Sequence, residues 1–322
     1  MGLSLYVVLG SAVVGLLVGL TGAGGGALMT PMLILLFSVK PAAAISSDLV
    51  AAVVMRPVGA AVHLHKGTVN LRMVGLMTLG SVPMAFLGSF LLREMGDNSP
   101  DQANVEIALG AALLIGAAAM VLRYSLDKRS GNQRTGKIAE VTLRPVPTVL
   151  IGMIGGLIVG ITSVGAGSLM IILLLFTYPL LSAGQLVGTD LTQAVPLTAA
   201  AALGALTFGH VEFGVTASII VGSVPAVLVG SLLSSRAPDK YIRPAITFVI
   251  FASGLKYVGV PTYPLGFVMG GILVTGAGYG LVRLRAQRSA GEATAPARAG
   301  AEPGEPPRET AAPGPLDDVP VR

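Results

Sequence analysis

The apolar residues of this chain are collected into long stretches in which charged residues are rare. Most of these stretches have roughly the 20 residues that an α-helix needs to cross a bilayer. They cover residues 1–37, 43–64, 72–92, 105–122, 147–177, 186–207, 214–234, 244–258 and 263–282. Because no soluble core is large enough to bury so many of them, the pattern predicts an all-α, polytopic membrane protein. The first stretch lacks the basic start of a signal peptide and is expected to belong to the mature structure.

The composition agrees with this prediction and excludes several classes of function. Charged residues make up 11% of the chain, against about 25% in soluble domains. There is no cysteine, which excludes disulfides and thiolate chemistry. The net charge is +5, but the basic residues lie in short loops between apolar stretches, as in cytoplasmic loops of membrane proteins. We therefore expect a lipid bilayer around the protein, no nucleic-acid partner and no cofactor.

The chain contains an internal duplication that extends over matching positions of two halves. Self-similarity of this kind predicts two homologous structural units, an arrangement that secondary carriers often use. Accidental alignment of small apolar residues is the alternative, but acidic residues and a Gly-Ser-Val-Pro segment do not align by accident. The matches are Gly15–Met29 with Gly156–Met170 and, after a one-residue slip, Ser47-Asp48-Leu49 with Thr189-Asp190-Leu191 and Gly80–Pro83 with Gly222–Pro225.

Glycine clusters interrupt the first apolar stretch of each half, at Gly22–Gly26 and at Gly165–Gly167. Glycine weakens a helix by about 1 kcal/mol relative to alanine, so each cluster predicts an unwound segment. Such a stretch either crosses once as a broken helix or turns back as a re-entrant hairpin. Hairpins keep all the basic loops on one side of the membrane, as the positive-inside rule requires, and we predict hairpins.

Hairpins leave an odd number of true crossings in each half, so the second half is predicted to insert upside down relative to the first. The predicted fold is two inverted repeats with about seven transmembrane helices and two re-entrant segments. The predicted regions are a first membrane repeat (1–123), a cytoplasmic basic connection (124–146), a second membrane repeat (147–258), an extra transmembrane helix (259–285) and a disordered cytoplasmic tail (286–322).

The two glycine clusters are the first candidate for a binding site. Unwound backbone within a membrane occurs where protein or a water-filled cavity surrounds it, and its free N–H groups beside a helix N-terminus attract anions. The alternative is close helix packing through small residues, which suits single glycines such as Gly10 or Gly88. The candidate substrate-binding residues are Thr21, Gly22, Gly24, Gly25, Gly26, Thr162, Ser163, Gly165 and Gly167.

Ionisable residues inside the apolar stretches form the second candidate. Asp48 and Asp190 occupy matching positions, and such residues in membrane segments are functional hypotheses by default. They could couple transport to a proton or to sodium, or they could simply cap helix N-termini. Arg56 is the cation inside an apolar stretch of the first half. It could bind an anion through two parallel hydrogen bonds, or it could pair with Asp48 two turns away. No metal site is expected.

The segment Gly19–Pro31, followed by Ser47-Asp48-Leu49 and Gly80–Pro83, resembles the sulfite exporter family of the TauE/SafE type over about residues 3–258. The resemblance implies a multi-pass permease of the bacterial inner membrane that moves sulfite, sulfonates or other small organic anions. Its signature positions are Thr21, Gly24, Gly25, Gly26, Pro31 and Asp48. The second half departs from the signature, with Ser163 and Ala166 in place of Gly22 and Gly25, and with Ile171 and Ile172 in place of Thr30 and Pro31.

Three functional hypotheses follow. The first is a secondary transporter, and probable exporter, of a small sulfur-containing anion by alternating access. The second is a passive anion channel, and the third is a membrane-embedded enzyme or assembly factor. An enzyme would need a nucleophile with a base, or a metal triad, within the membrane, whereas His63, His65 and His210 are predicted on opposite sides. We therefore expect no enzymatic activity.

Overall fold

The computed structural model describes residues 4–261, with gaps at 22–24, 66, 68, 98–101, 131–141, 166, 180 and 234–238. Within this part the chain forms ten α-helices and no strand. The helices are α1 (Leu5–Thr21), α2 (Gly26–Phe37), α3 (Pro41–His65), α4 (Leu71–Asp97), α5 (Ala103–Ser130), α6 (Pro145–Thr162), α7 (Leu169–Thr177), α8 (Ala183–Phe208), α9 (Phe213–Leu233) and α10 (Asp239–Tyr257).

Several predicted regions lie outside the described residues. They are residues 262–285 of the extra transmembrane helix, the cytoplasmic tail and residues 131–141 of the basic connection. Helix α5 continues to Ser130, beyond the predicted end of the first repeat at 123.

Six of the described helices are long and apolar enough to cross a membrane: α3, α4, α5, α6, α8 and α9. Helices α1 and α2 and the apolar part of α10 are shorter. Large apolar side chains such as Tyr6, Leu79 and Leu232 are mostly exposed on the outside of the bundle. In water this surface would be unfavourable, whereas in a bilayer it faces acyl chains. The predicted all-helical, polytopic class is confirmed.

The helix breaks occur where the glycine clusters predicted them. Helix α1 ends at Thr21 and α2 begins at Gly26, while α6 ends at Thr162 and α7 begins at Leu169. In the second break the chain takes left-handed backbone angles at Ser163, Gly165 and Gly167, with φ of 58°, 123° and 95°. Glycine adopts such angles without the steric cost that a Cβ brings, which explains how the chain can leave the helix at this segment.

Each broken stretch turns back on itself. A Cβ at Gly10 of α1 would lie 3.2 Å from ring atoms of Phe37 at the far end of α2. In the second half, the Tyr178 hydroxyl, just after α7, accepts a hydrogen bond of 2.8 Å from the N–H of Arg144, just before α6. It also shares a hydrogen bond with the Thr148 hydroxyl. The last residues of each stretch therefore return to its beginning, as in a hairpin.

Helices of the two halves pack directly on each other through small residues. Helix α1 lies against α9, where a Cβ at Gly15 would approach the Ser223 carbonyl oxygen to 2.7 Å. The matching helices α6 and α4 repeat this contact, with Gly156 against the Ser81 carbonyl. Gly88 likewise approaches the backbone of α6. These glycines allow close backbone approach, as the packing interpretation expects.

Matching helices of the two halves run in opposite directions. At one end of the α3–α8 pair, the N–H of Glu212 after α8 donates to the Ser47 hydroxyl near the start of α3, at 3.1 Å. At the other end, the N–H of Asn70 after α3 donates to the Thr189 hydroxyl near the start of α8, at 3.3 Å. Helices α5 and α10 are also antiparallel, since Gly110 packs against Tyr257. Inverted repeats require antiparallel pairs of this kind.

Candidate functional site

The two helix breaks meet in the interior of the bundle. Gly26, the first residue of α2, lies directly on the backbone of Ser163, which follows α6. A Cβ at Gly26 would overlap the Ser163 carbonyl and lie 2.8 Å from its hydroxyl oxygen. Ser163 is itself held by a hydrogen bond of 2.7 Å from its N–H to the Val159 carbonyl. The sequence therefore needs a residue without a side chain at position 26 for the two breaks to touch.

Asp48, in the first third of α3, connects this helix to the meeting point. Its Oδ2 accepts hydrogen bonds from the Ser163 hydroxyl, at 2.7 Å, and from the Thr30 hydroxyl of α2, at 3.0 Å. The side chain is 1% exposed. A carboxylate buried in a membrane protein requires such donors. Asp48 thus ties together α3, α2 and the break of the second half.

The helix-cap interpretation of the two aspartates is wrong. Helix α3 begins at Pro41 and α8 begins at Ala183, so both aspartates lie about two turns inside their helices. The cap of α8 is Ser182, whose hydroxyl accepts from the Gln185 N–H while the Gln185 side chain accepts from the Ser182 N–H. The aspartates are therefore available for another role.

Asp190 is buried like Asp48 but lacks its partners. The side chain is 0% exposed, and neither carboxylate oxygen has a hydrogen-bond partner among the described residues. The backbone N–H of Gly167 faces this carboxylate without reaching the geometry of a hydrogen bond. The duplication explains the difference: the positions matching Thr30 and Ser163 are Ile171 and Gly22, which carry no hydroxyl.

Arg56 supplies the positive charge of the site. Its side chain is 9% exposed. The guanidinium attracts the carboxylates of both Asp190 and Asp48, and the attraction to Asp190 is the stronger. Its Nη1 has no hydrogen-bond partner among the described residues. The predicted pairing with Asp48 is therefore only part of its environment. A buried guanidinium with an unused donor can bind an anionic ligand.

The remaining predicted residues take different places. The hydroxyls of Thr21 and Thr162 donate to carbonyls of their own helices, Leu17 and Ile158, both at 2.7 Å. Gly25 precedes α2, and its carbonyl accepts the N–H of Met29. The structure brings together Gly26, Ser163, Gly167, Asp48, Asp190 and Arg56. Gly165 lies in the second break, while Gly22 and Gly24 are outside the described residues.

Two further polar residues near the site were not predicted from the sequence as site residues. The Thr30 hydroxyl donates to Asp48. In the sequence, Thr30 differed from its surroundings only in that the matching position of the second half carries the apolar Ile171. Gln193 is fully buried on α8, donates to the Ser81 hydroxyl and has an amide oxygen without a partner in the described part of the chain. It lies three residues after Asp190 and therefore on the same helix face. A buried amide one turn from a buried carboxylate was a detectable signal.

We expect Ser163→Ala to destabilise the protein, because Asp48 loses a hydrogen bond that joins the two halves. A hydrogen bond to a charged group contributes about 1.5–3 kcal/mol, which should lower the thermal unfolding temperature in detergent. The control is Ser125→Ala, since the Ser125 hydroxyl is exposed and bonds only its own helix, at the Val121 carbonyl. Equal unfolding temperatures for the two variants would show that the Asp48 bond contributes little.

Comparison with known proteins identifies the family. The family model described as sulfite exporter TauE/SafE matches residues 7–257. The chain is 35% identical to the "Probable membrane transporter protein YjnA" of Bacillus subtilis strain 168, over 80% of this chain and 100% of that protein. It is 23% identical to the "Probable membrane transporter protein YdhB" of the same strain, over 78% and 98% of the two chains. No solved structure shows a significant match. The chain therefore belongs to the sulfite exporter TauE/SafE family of membrane transporters and is a multi-pass membrane protein.

Proposed function

We propose that this protein is a secondary transporter that exports a small, sulfur-containing anion, such as sulfite or an organosulfonate, by alternating access. The observation that carries the proposal is the buried Arg56, which interacts with Asp48 and Asp190 beside the meeting point of the two helix breaks and whose Nη1 has no hydrogen-bond partner among the described residues. A donor without a partner inside a membrane protein costs free energy, so a ligand that accepts from it is favoured.

The chemistry of the site favours an oxyanion. A guanidinium offers two parallel N–H donors, which match two oxygens of a sulfite or sulfonate group as they match those of a carboxylate or phosphate. Helices α2 and α7 begin at the two breaks, and the N-terminus of a helix carries a partial positive charge. Anion binding at this place would therefore combine one full charge with two helix dipoles.

The arrangement of the two halves supports alternating access. Antiparallel pairing of matching helices is the symmetry that allows two mirror-related conformations around one site. The hydrogen bond from Ser163 to Asp48 joins the second break to the first half. A change in how the breaks meet would therefore alter the surroundings of Arg56 and open the site to the other side.

Transport by the purified full chain in proteoliposomes tests the proposal. Labelled sulfite and sulfoacetate should enter or leave at a rate that saturates with concentration, and unlabelled anion on the opposite side should accelerate the exchange. Vesicles without protein provide the background. Flux that rises linearly with concentration and shows no acceleration by exchange would indicate a channel. Absence of flux for every small anion tested would refute the transport function.

A further inference from the structure

We propose that Asp190 takes up one proton for each anion that the protein moves, whereas Asp48 is a positioning residue that holds the helix breaks. This inference rests on the proposed transport function. Its basis is that the substrate anion and the Asp190 carboxylate both need the same cation, Arg56. Binding of the anion would then be linked to binding of the proton.

The two carboxylates differ in what surrounds them. Asp48 accepts two hydrogen bonds from hydroxyl groups, those of Ser163 and Thr30, and these bonds stabilise its ionised form. Asp190 has no hydrogen-bond partner in the described structure and depends on the charge of Arg56. An unpaired buried carboxylate is unfavourable and is neutralised by a proton when no cation is near. Asp190 therefore depends on Arg56 more than Asp48 does, because Asp48 also has its two hydroxyl donors.

The other charged residues near α8 leave Arg56 as the main partner of Asp190. Arg56 has the strongest attraction for the Asp190 carboxylate. The Gly167 N–H and Arg123, in the last third of α5, attract it less. Helix α4, which also packs on α8, has Arg72, Arg93 and Glu94 at exposed positions. Helices α6 and α7 carry no charged residue. An anion that occupies the Arg56 guanidinium would therefore remove the principal compensation of Asp190.

A proton fits this position better than a sodium ion. A hard metal cation needs several oxygen ligands, and the position that matches the Thr30 hydroxyl is occupied here by the apolar Ile171. A proton needs only the carboxylate. The amide oxygen of Gln193, one turn further along the same face of α8, is an acceptor without a partner. Such an acceptor suits a protonated carboxyl group and would repel an ionised one.

The cycle balances in charge and protons. In the empty site the Arg56 guanidinium compensates the Asp190 carboxylate. On one side of the membrane, a singly charged anion such as hydrogensulfite binds to Arg56 and Asp190 takes a proton from water, forming a neutral carboxyl group. On the other side, the anion leaves, Arg56 again attracts the carboxylate, and the proton returns to water. Export then requires an outward anion gradient larger than the opposing proton gradient.

Proteoliposomes containing the full-length protein test the division of roles. With one proton per hydrogensulfite ion, a pH gradient of about one unit, alkaline inside, should drive accumulation of labelled sulfite by the unmodified protein of about tenfold or more. Asp190→Asn imitates the protonated carboxyl group. We expect it to exchange labelled for unlabelled sulfite in the absence of a gradient, but to show no accumulation in response to the pH gradient.

Asp48→Asn provides the contrast. We expect this variant to exchange more slowly, since the breaks are less well held, while its remaining activity still accumulates sulfite about tenfold or more in the same gradient. Asp190→Glu keeps a carboxyl group and should keep the response to pH. A pH-sensitive dye outside the vesicles gives a reading that needs no variant, because sulfite uptake by the unmodified protein should remove one proton per anion from the outer solution.

The outcomes separate the inference from the function on which it rests. If Asp190→Asn still accumulates sulfite in a pH gradient, or if only a sodium gradient drives accumulation, the inference is wrong. Saturable exchange without proton movement in the unmodified protein would also overturn it, although the transporter would stand. If the unmodified protein exchanges no anion, the proposed function itself fails. If Asp190→Asn does not fold, the dye measurement decides.

Discussion

Replacement of Arg56 by Gln is expected to reduce saturable sulfite exchange by about 100-fold or more. The reason is that the variant removes the buried cation with an unused donor at the meeting point of the breaks. Loss of one partner of a buried charge pair weakens binding by about 2–5 kcal/mol or more. A loss of about 3 kcal/mol corresponds to a factor of about 100. Exchange in proteoliposomes, normalised to the amount of inserted protein, measures it.

The same change should also destabilise the fold, and a second variant separates the two effects. Arg56→Gln leaves Asp190 without its main countercharge, and breaking a buried pair in this way costs about 3–5 kcal/mol. The double variant Arg56→Gln with Asp190→Asn has neither charge. We expect it to recover much of the thermal stability in detergent but none of the sulfite exchange. Recovery of exchange in the double variant would show that Arg56 supports the fold and does not bind the anion.

Substitution of Gly26 by Ala is expected to abolish transport as well, for a steric reason. The added Cβ would overlap the backbone carbonyl of Ser163, and because the backbone of residue 26 fixes the position of its Cβ, no side-chain rotation relieves the overlap. The breaks must move apart, which lengthens the hydrogen bond between Ser163 and Asp48. We expect a lower unfolding temperature, a destabilisation of about 1–3 kcal/mol, together with loss of sulfite exchange.

Gly75→Ala is the matched control for this substitution. Gly75 lies on an exposed face of α4, and a Cβ there would meet nothing within 4 Å. Alanine is favoured over glycine in a helix by about 1 kcal/mol, so this variant should be as active as the unmodified protein and at least as stable. If Gly26→Ala behaves like Gly75→Ala, the breaks do not need close contact for transport.

The positions of the helix breaks were readable from the sequence because their cause is local. Gly165 and Gly167 adopt left-handed backbone angles that a Cβ would disfavour, and no distant contact is needed to predict that a helix stops there. The membrane-spanning class was equally local, since it follows from the length of apolar stretches. The duplication correctly singled out Asp48 and Asp190 as residues within membrane helices.

Other features depended on contacts between residues far apart in the chain. The distribution of basic loops favoured hairpins, but the contacts that close them, such as that of Tyr178 with Arg144, are not encoded in the apolar composition. The position matching Asp48 in the second half carries the same residue, yet the two aspartates have different partners. That difference arises from the hydroxyls of Thr30 on α2 and of Ser163 in the second break.

The sequence by itself determined the all-helical membrane class, the places where the two glycine clusters break their helices and the small set of ionisable residues within the apolar stretches. Only the tertiary structure decided which of these charges meet and which lack partners. The physical reason is range: backbone preference and apolar length act over a few residues, whereas Arg56, Asp190 and the Ser163–Asp48 bond act between helices more than a hundred residues apart in the chain.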